Sequence, residues 1–142
     1  MARNTLRALW ASVGMLVMIT VPALAHHSFA MFDQTKEITL TGTVVEFHWI
    51  NPHTHIILNA EAGPGVDANM AGEWDIEGAS TNIMRVQGWS STMIKAGDKL
   101  SVTGGPLKNG QKGMTLLYVT LPDGKRLYND VARPRPKTTD AR

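Results

Sequence analysis

The stretch "ITLTGTVVEFHWI", residues 38–50, decides how the rest of the chain is read. It is rich in β-branched and aromatic residues, which pack well on a pleated surface and favour a strand. Its apolar residues change parity partway along. Ile38, Leu40 and Val44 share one parity, whereas Val45, Phe47 and Trp49 share the other. A strand alternates faces with every residue, so a change of parity needs an extra residue. The pattern predicts a β-bulge within residues 42–45 of a long, bent strand.

Working outward, Asn51-Pro52 is a turn signal, and "HTHIILNA", residues 53–60, reads as a second strand. A Gly/Pro/Asn loop follows. Then "EWDIEG", residues 73–78, alternates strictly, with Trp74 and Ile76 on one face and Glu73, Asp75 and Glu77 on the other. Ser80 suits a helix N-cap and Gly88 a helix stop, so a short helix is expected over residues 80–87, with Ile83 and Val86 as its apolar side. A fourth strand is expected at 99–103, with Leu100 and Val102 inward. Asn109-Gly110 is a turn, and a fifth strand is expected at 114–121. Asp123-Gly124 makes a tight turn before residues 125–128. This order is all-β and fits a five-stranded OB-like barrel with one short helix between strands three and four. An open β-sandwich of the same strands is the alternative.

The chain begins with a short basic segment, Arg3 and Arg7, then "ALWASVGMLVMITV", residues 8–21, which is apolar and uncharged. Pro22 ends the run, and Ala23-Leu24-Ala25 suits signal peptidase. The apolar run of 14 residues is short for a membrane span. The expected division is therefore a signal peptide at 1–25, an extended N-terminal segment at 26–37, a barrel domain at 38–130 and a disordered basic tail at 131–142. Phe29 and Phe32 would tack the segment to the barrel. Localisation is expected to be periplasmic, with no stable membrane span after processing.

Charge narrows the partners. Residues 26–132 hold 8 basic and 11 acidic residues. A net-negative body argues against tracking nucleic-acid phosphates. There is no cysteine, so disulfides, thiolate metal sites and a cysteine nucleophile are all excluded.

The chemistry gathers in the histidines. All five, His26, His27, His48, His53 and His55, fall within thirty residues of one another. Neutral imidazole is a versatile metal ligand. If Asn51-Pro52 is a two-residue connection, His48 lies across from His55 on one sheet face, while His53 and His55 share a face by the period of two. Cleavage after Ala25 would make His26 the first residue, with its α-amine and Nδ1 available to chelate one ion. One more imidazole completes three nitrogens in a plane, which suits Cu(II). His53 or His55 is the expected third ligand. The amine must first lose its proton, at about 7.7–8.0 in an unperturbed terminus, so affinity should fall at lower pH. The competing reading is that these are ordinary surface histidines. Met31 reads as core rather than as a Cu(I) ligand.

Other features carry less. Glu73, Asp75 and Glu77 read as a solvated outer face rather than as acid–base catalysts. No nucleophile-elbow, P-loop or dinucleotide fingerprint is present. Trp49 and Trp89 are candidates for a stacking surface, Trp89 being the one expected in solvent.

Several segments together resemble a family of small exported bacterial proteins known mainly as a domain of unknown function. They are "HHSFAMFD", "LTGTVVEFHWINPH", "EWDIEG", "GWS", "IKAGDKLSVTG" and "VTLPDGKRL". The resemblance runs from His26 to about Leu127 and rests on His26-His27-Ser28, Trp49-Ile50-Asn51-Pro52-His53 and Gly97-Asp98-Lys99-Leu100. It implies a periplasmic OB-like barrel and brings no activity. His48 and His55 lie outside its pattern, which ranks them lower as ligands.

Two functions are thus expected. The first is a non-catalytic periplasmic metal-binding module, for copper, using the processed His26 and the hairpin histidines. The alternative is an accessory module that binds a carbohydrate, a peptide or another periplasmic protein through the barrel face.

Overall fold

The computed structural model describes residues 28–62 and 67–131. The expected signal peptide, the basic tail from residue 132 onward, and the candidate ligands His26 and His27 lie outside the described residues. The elements are β1 (Ile38–His48), β2 (His55–Ala60), β3 (Gly72–Glu77), α1 (Thr81–Val86), β4 (Lys99–Pro106), β5 (Gly113–Thr120) and β6 (Arg126–Tyr128).

The predicted bulge sits at Val45. Val44 pairs with Leu58 and Glu46 with Ile57, so Val45 has no cross-strand partner. Leu40 and Val44 are buried before it, and Phe47 and Trp49 pack against the core after it. Val45 itself turns outward. Gly42 makes the coil of β1 possible, since a Cβ there would collide with the Asn59 carbonyl oxygen.

The sheet order is β3-β2-β1-β4-β5-β6. A parallel pairing of Asp75–Glu77 in β3 with Gly113–Thr115 in β5 closes strands one to five into a barrel. That closure decides against the open sandwich. Along the same side of β5, β6 takes over where β3 leaves, pairing Tyr118 with Tyr128 and Thr120 with Arg126. Ile56, Leu58, Trp74, Ile76, Val102, Leu116 and Val119 fill the interior.

The helix lies between β3 and β4 as expected but presents a different face. Thr81 and Met84 are buried, whereas Ile83 is exposed and Val86 is 90% exposed. The cause is its cap. Ser80 makes no side-chain cap, and Asn51, from the β1–β2 connection, accepts from the Thr81 N–H (3.1 Å) and hydroxyl (3.0 Å). This anchor turns positions 81 and 84 toward the barrel. Gly88, at φ +90°, ends the helix, and Trp89 N–H reaches back to the Met84 carbonyl at 3.0 Å.

The N-terminal segment contains a 3₁₀ turn, Ser28–Met31, and then lies along the end of β4. Asp33 N–H donates to Pro106 O (2.7 Å), Lys108 N–H donates to Met31 O (3.0 Å), and Phe32 bridges Leu107. Phe32 is buried, as expected. Met31 is half exposed rather than core, because the segment runs over the outside of the barrel.

Candidate functional site

The candidate site is the outer face of β2 and β3. Antiparallel pairing sets Ile57 against Asp75 and His55 against Glu77. Alternation then places His53, His55, Asp75 and Glu77 on one side, while Ile56, Trp74 and Ile76 point into the core. Each imidazole reaches diagonally across the pair. His55 Nδ1 hydrogen-bonds Asp75 Oδ1 at 2.8 Å, and His53 Nδ1 lies 2.6 Å from Glu77 Oε1. All four side chains keep some exposure. When Nδ1–H faces a carboxylate, the lone pair of a neutral imidazole is on Nε2.

His48 does pair with His55 in backbone register, at the last rung of the β1–β2 ladder, and residues 49–54 connect the two strands. The His48 imidazole turns along β1 toward Glu46. Nε2 sits 2.9 Å from Glu46 Oε2, in contact but without hydrogen-bond geometry, and is sealed from solvent. The described face therefore offers two Nε2 donors, not three. No group of three or more His, Asp or Glu side chains among the described residues is arranged to hold a metal ion.

A cavity of about 610 Å³ opens beside the carboxylates. Its walls include Met31 and Phe32 of the N-terminal arm, Leu107 and Lys112 of the β4–β5 turn, and Asp75 and Glu77 of β3. The nearby lysines are engaged by backbone. Lys112 Nζ donates to Ala71 O at 2.5 Å, and Lys108 Nζ to Ala30 O at 2.8 Å. Among the described residues, the ion pairs of Asp75 and Glu77 are to imidazoles and none is to lysine or arginine. Asp33, in the arm, has its carboxyl held below the usual carboxylate range, chiefly by the hydrogen bond from the Thr35 hydroxyl and then by that from the Thr35 N–H.

The tryptophans separate. Trp49 is partly buried, edge-on to Phe47 at 5.6 Å, with the Arg85 guanidinium 6.0 Å from its ring. Trp89, expected in solvent, is 2% exposed, and its Nε1–H donates to Tyr128 O at 2.8 Å. It plugs the barrel interior, so its burial corrects the expectation of an exposed stacking ring. Asp75 and Glu77, read from sequence as a solvated face, turn out to be the partners of the histidines. The readable signal was the matched alternation of histidines in one strand and carboxylates in the next.

Fold and site together define a small OB-like barrel with a histidine–carboxylate face. A family model described as a family of unknown function (DUF6152) matches residues 13–116, and the chain belongs to that family. No curated protein matches. One solved structure, the crystal structure of TiaS in complex with a tRNA and ATP, is similar at 14% identity and a TM-score of 0.45. The alignment covers 63% of this chain and 19% of that one, so the chain spans about a fifth of its length.

Proposed function

We propose that the chain is exported by its N-terminal leader to the periplasm and serves there as a non-catalytic metal-binding module, with copper as the metal. The observation that carries this reading is the pair of neighbouring imidazoles set against carboxylates, His55 hydrogen-bonded through Nδ1 to Asp75 and His53 in ion-pair contact with Glu77. A carboxylate behind a histidine fixes the tautomer and the ring, and it raises the basicity of the ligating nitrogen. Two nitrogens do not complete a site, and a third donor has to come from beyond the described face. The processed His26 supplies an α-amine and Nδ1 as a chelate, with His53 as the preferred barrel ligand and His27 or His55 as the auxiliary. His48 ranks last, because its Nε2 is sealed. Nitrogen donors in a tetragonal set favour Cu(II).

Cu(II) titration of the chain beginning at His26, followed by calorimetry and electron paramagnetic resonance, tests the reading. Affinity should fall by roughly tenfold or more when one residue is added ahead of His26, and likewise in His53→Ala. An unchanged affinity in the extended chain would remove the chelate.

The accessory-module reading keeps one support, the 610 Å³ cavity with its apolar and acidic walls, whose size is ordinary for a ligand pocket. It loses Trp89 as a contact surface. It predicts ligand binding that is indifferent to chelators.

A further inference from the structure

The cavity lies between two structures that the chain itself links. One wall is the arm, whose first described residues run beside the β4–β5 turn. Asp33 is bonded to Pro106, Met31 to Lys108, and Ala30 to the Lys108 ammonium. The other wall is Asp75 and Glu77, with the imidazoles of His55 and His53 one strand beyond. We infer that the cavity is the seat of the chain's own processed terminus, His26-His27, with the α-ammonium of His26 against the carboxylates of Asp75 and Glu77. The inference rests on the processing assumed in the proposed function and deepens it by naming where the terminus docks.

Three observations support this occupant. The first is reach. His26 is two residues ahead of Ser28 and five ahead of Met31. At up to about 3.3–3.6 Å per residue, it lies within roughly 7 Å of Ser28 and 17 Å of Met31. Adjacent strands are about 4.8 Å apart, so crossing from the cavity over β3 to β2 is a short span. The second is charge. Asp75 and Glu77 have only imidazole partners among the described ion pairs, while Lys108 and Lys112 are turned to backbone carbonyls. A terminal ammonium complements that wall. The third is anchoring. Phe32 is buried against the β4–β5 connection, and the glycine at 105 lets the arm lie close, since a Cβ there would stand 3.0 Å from Asp33 O. The arm is thus pinned on the rim at residues 30–33, a short tether from the cavity.

Zero-length carbodiimide coupling of metal-free protein, in chelator and with His26 verified as residue one, reads this directly. The α-amine of His26 should form its dominant amide link to Asp75 or Glu77, mapped by mass spectrometry. Phe32→Ala, which unpins the arm, should cut that yield several-fold. The Lys99–Glu61 link, from a 3.1 Å pair on the far part of the barrel, should persist as the folding control. If the control link forms while the terminal amine couples no better to Asp75 or Glu77 than to other exposed carboxylates, the seat is refuted. An undiminished yield in Phe32→Ala also refutes it. The two proposals fail separately. Coupling without terminus-dependent copper binding keeps the seat and removes the chelate. Terminus-dependent copper binding without coupling does the reverse.

Discussion

The two faces of β3 are built from alternate residues of one hexapeptide and obey different rules. Inward, Trp74 and Ile76 are held by the sum of many contacts in the barrel interior. Outward, Asp75 and Glu77 each meet one specific imidazole from the neighbouring strand. The inner face sets whether the chain folds. The outer face, on our reading, sets what it binds. If so, substitutions on the two faces should be separable.

The largest expected effect is on the inner face. Ile76→Ala empties a fully buried position and should cost about 2–5 kcal/mol of stability in denaturant unfolding. Copper affinity of the molecules that remain folded should be little changed. A second, smaller effect belongs to the outer face. His55→Ala should leave stability within about 1 kcal/mol, because its pair with Asp75 is partly exposed. It should also weaken Cu(II) binding by less than His53→Ala does, as measured by calorimetry. Equal losses of stability from the two faces would erase the distinction.

Carboxylate variants sharpen it further. Glu77→Gln removes the charge set against His53 while keeping the side chain's size. It should lower copper affinity by up to about tenfold with nearly unchanged unfolding. Asp75→Asn should do less, since Asp75 is the more exposed of the two carboxylates.

The smallest effect is in the arm. The carboxyl of Asp33 is stabilised in its charged form by Thr35, so its folded value lies below its unfolded one. Its contribution is therefore complete above the ordinary carboxylate value of about 3.9 and is lost as pH falls through the lowered folded value. The Thr35 amide resonance should titrate with a midpoint below about 3.9. Asp33→Asn should abolish that step.

What the sequence made legible follows from how local each cause is. The bulge at Val45 was written in a change of parity within one strand. The facing of His48 and His55 was one of the registers that the Asn51-Pro52 turn allowed. The stop at Gly88 followed from one residue's freedom to adopt positive φ. Barrel closure was harder, because the β3–β5 pairing joins segments separated by the helix and β4. The helix face is not legible locally, because its cap comes from Asn51, thirty residues away, rather than from Ser80. The burial of Trp89 is not legible locally either, because the carbonyl that satisfies its ring nitrogen belongs to Tyr128. The histidine face lay between these cases. Alternation in β2 and β3 was visible, but the diagonal reach of each ring depends on a register that only pairing defines.

The handover from β3 to β6 along β5 has a consequence for solubility. Where β3 departs, Tyr118–Thr120 would offer a row of bare amides and carbonyls, a template for pairing with another copy of the chain. The three residues of β6 cover that row, with the Arg126 guanidinium 4.8 Å from the Tyr118 ring. In a chain without cysteine, no covalent staple could hold this cover down. The open edge of the sheet is cut to the three residues of β6, a length that disfavours edge-to-edge pairing with another copy, while Leu127 and the Tyr128 carbonyl tie that short strand into the core.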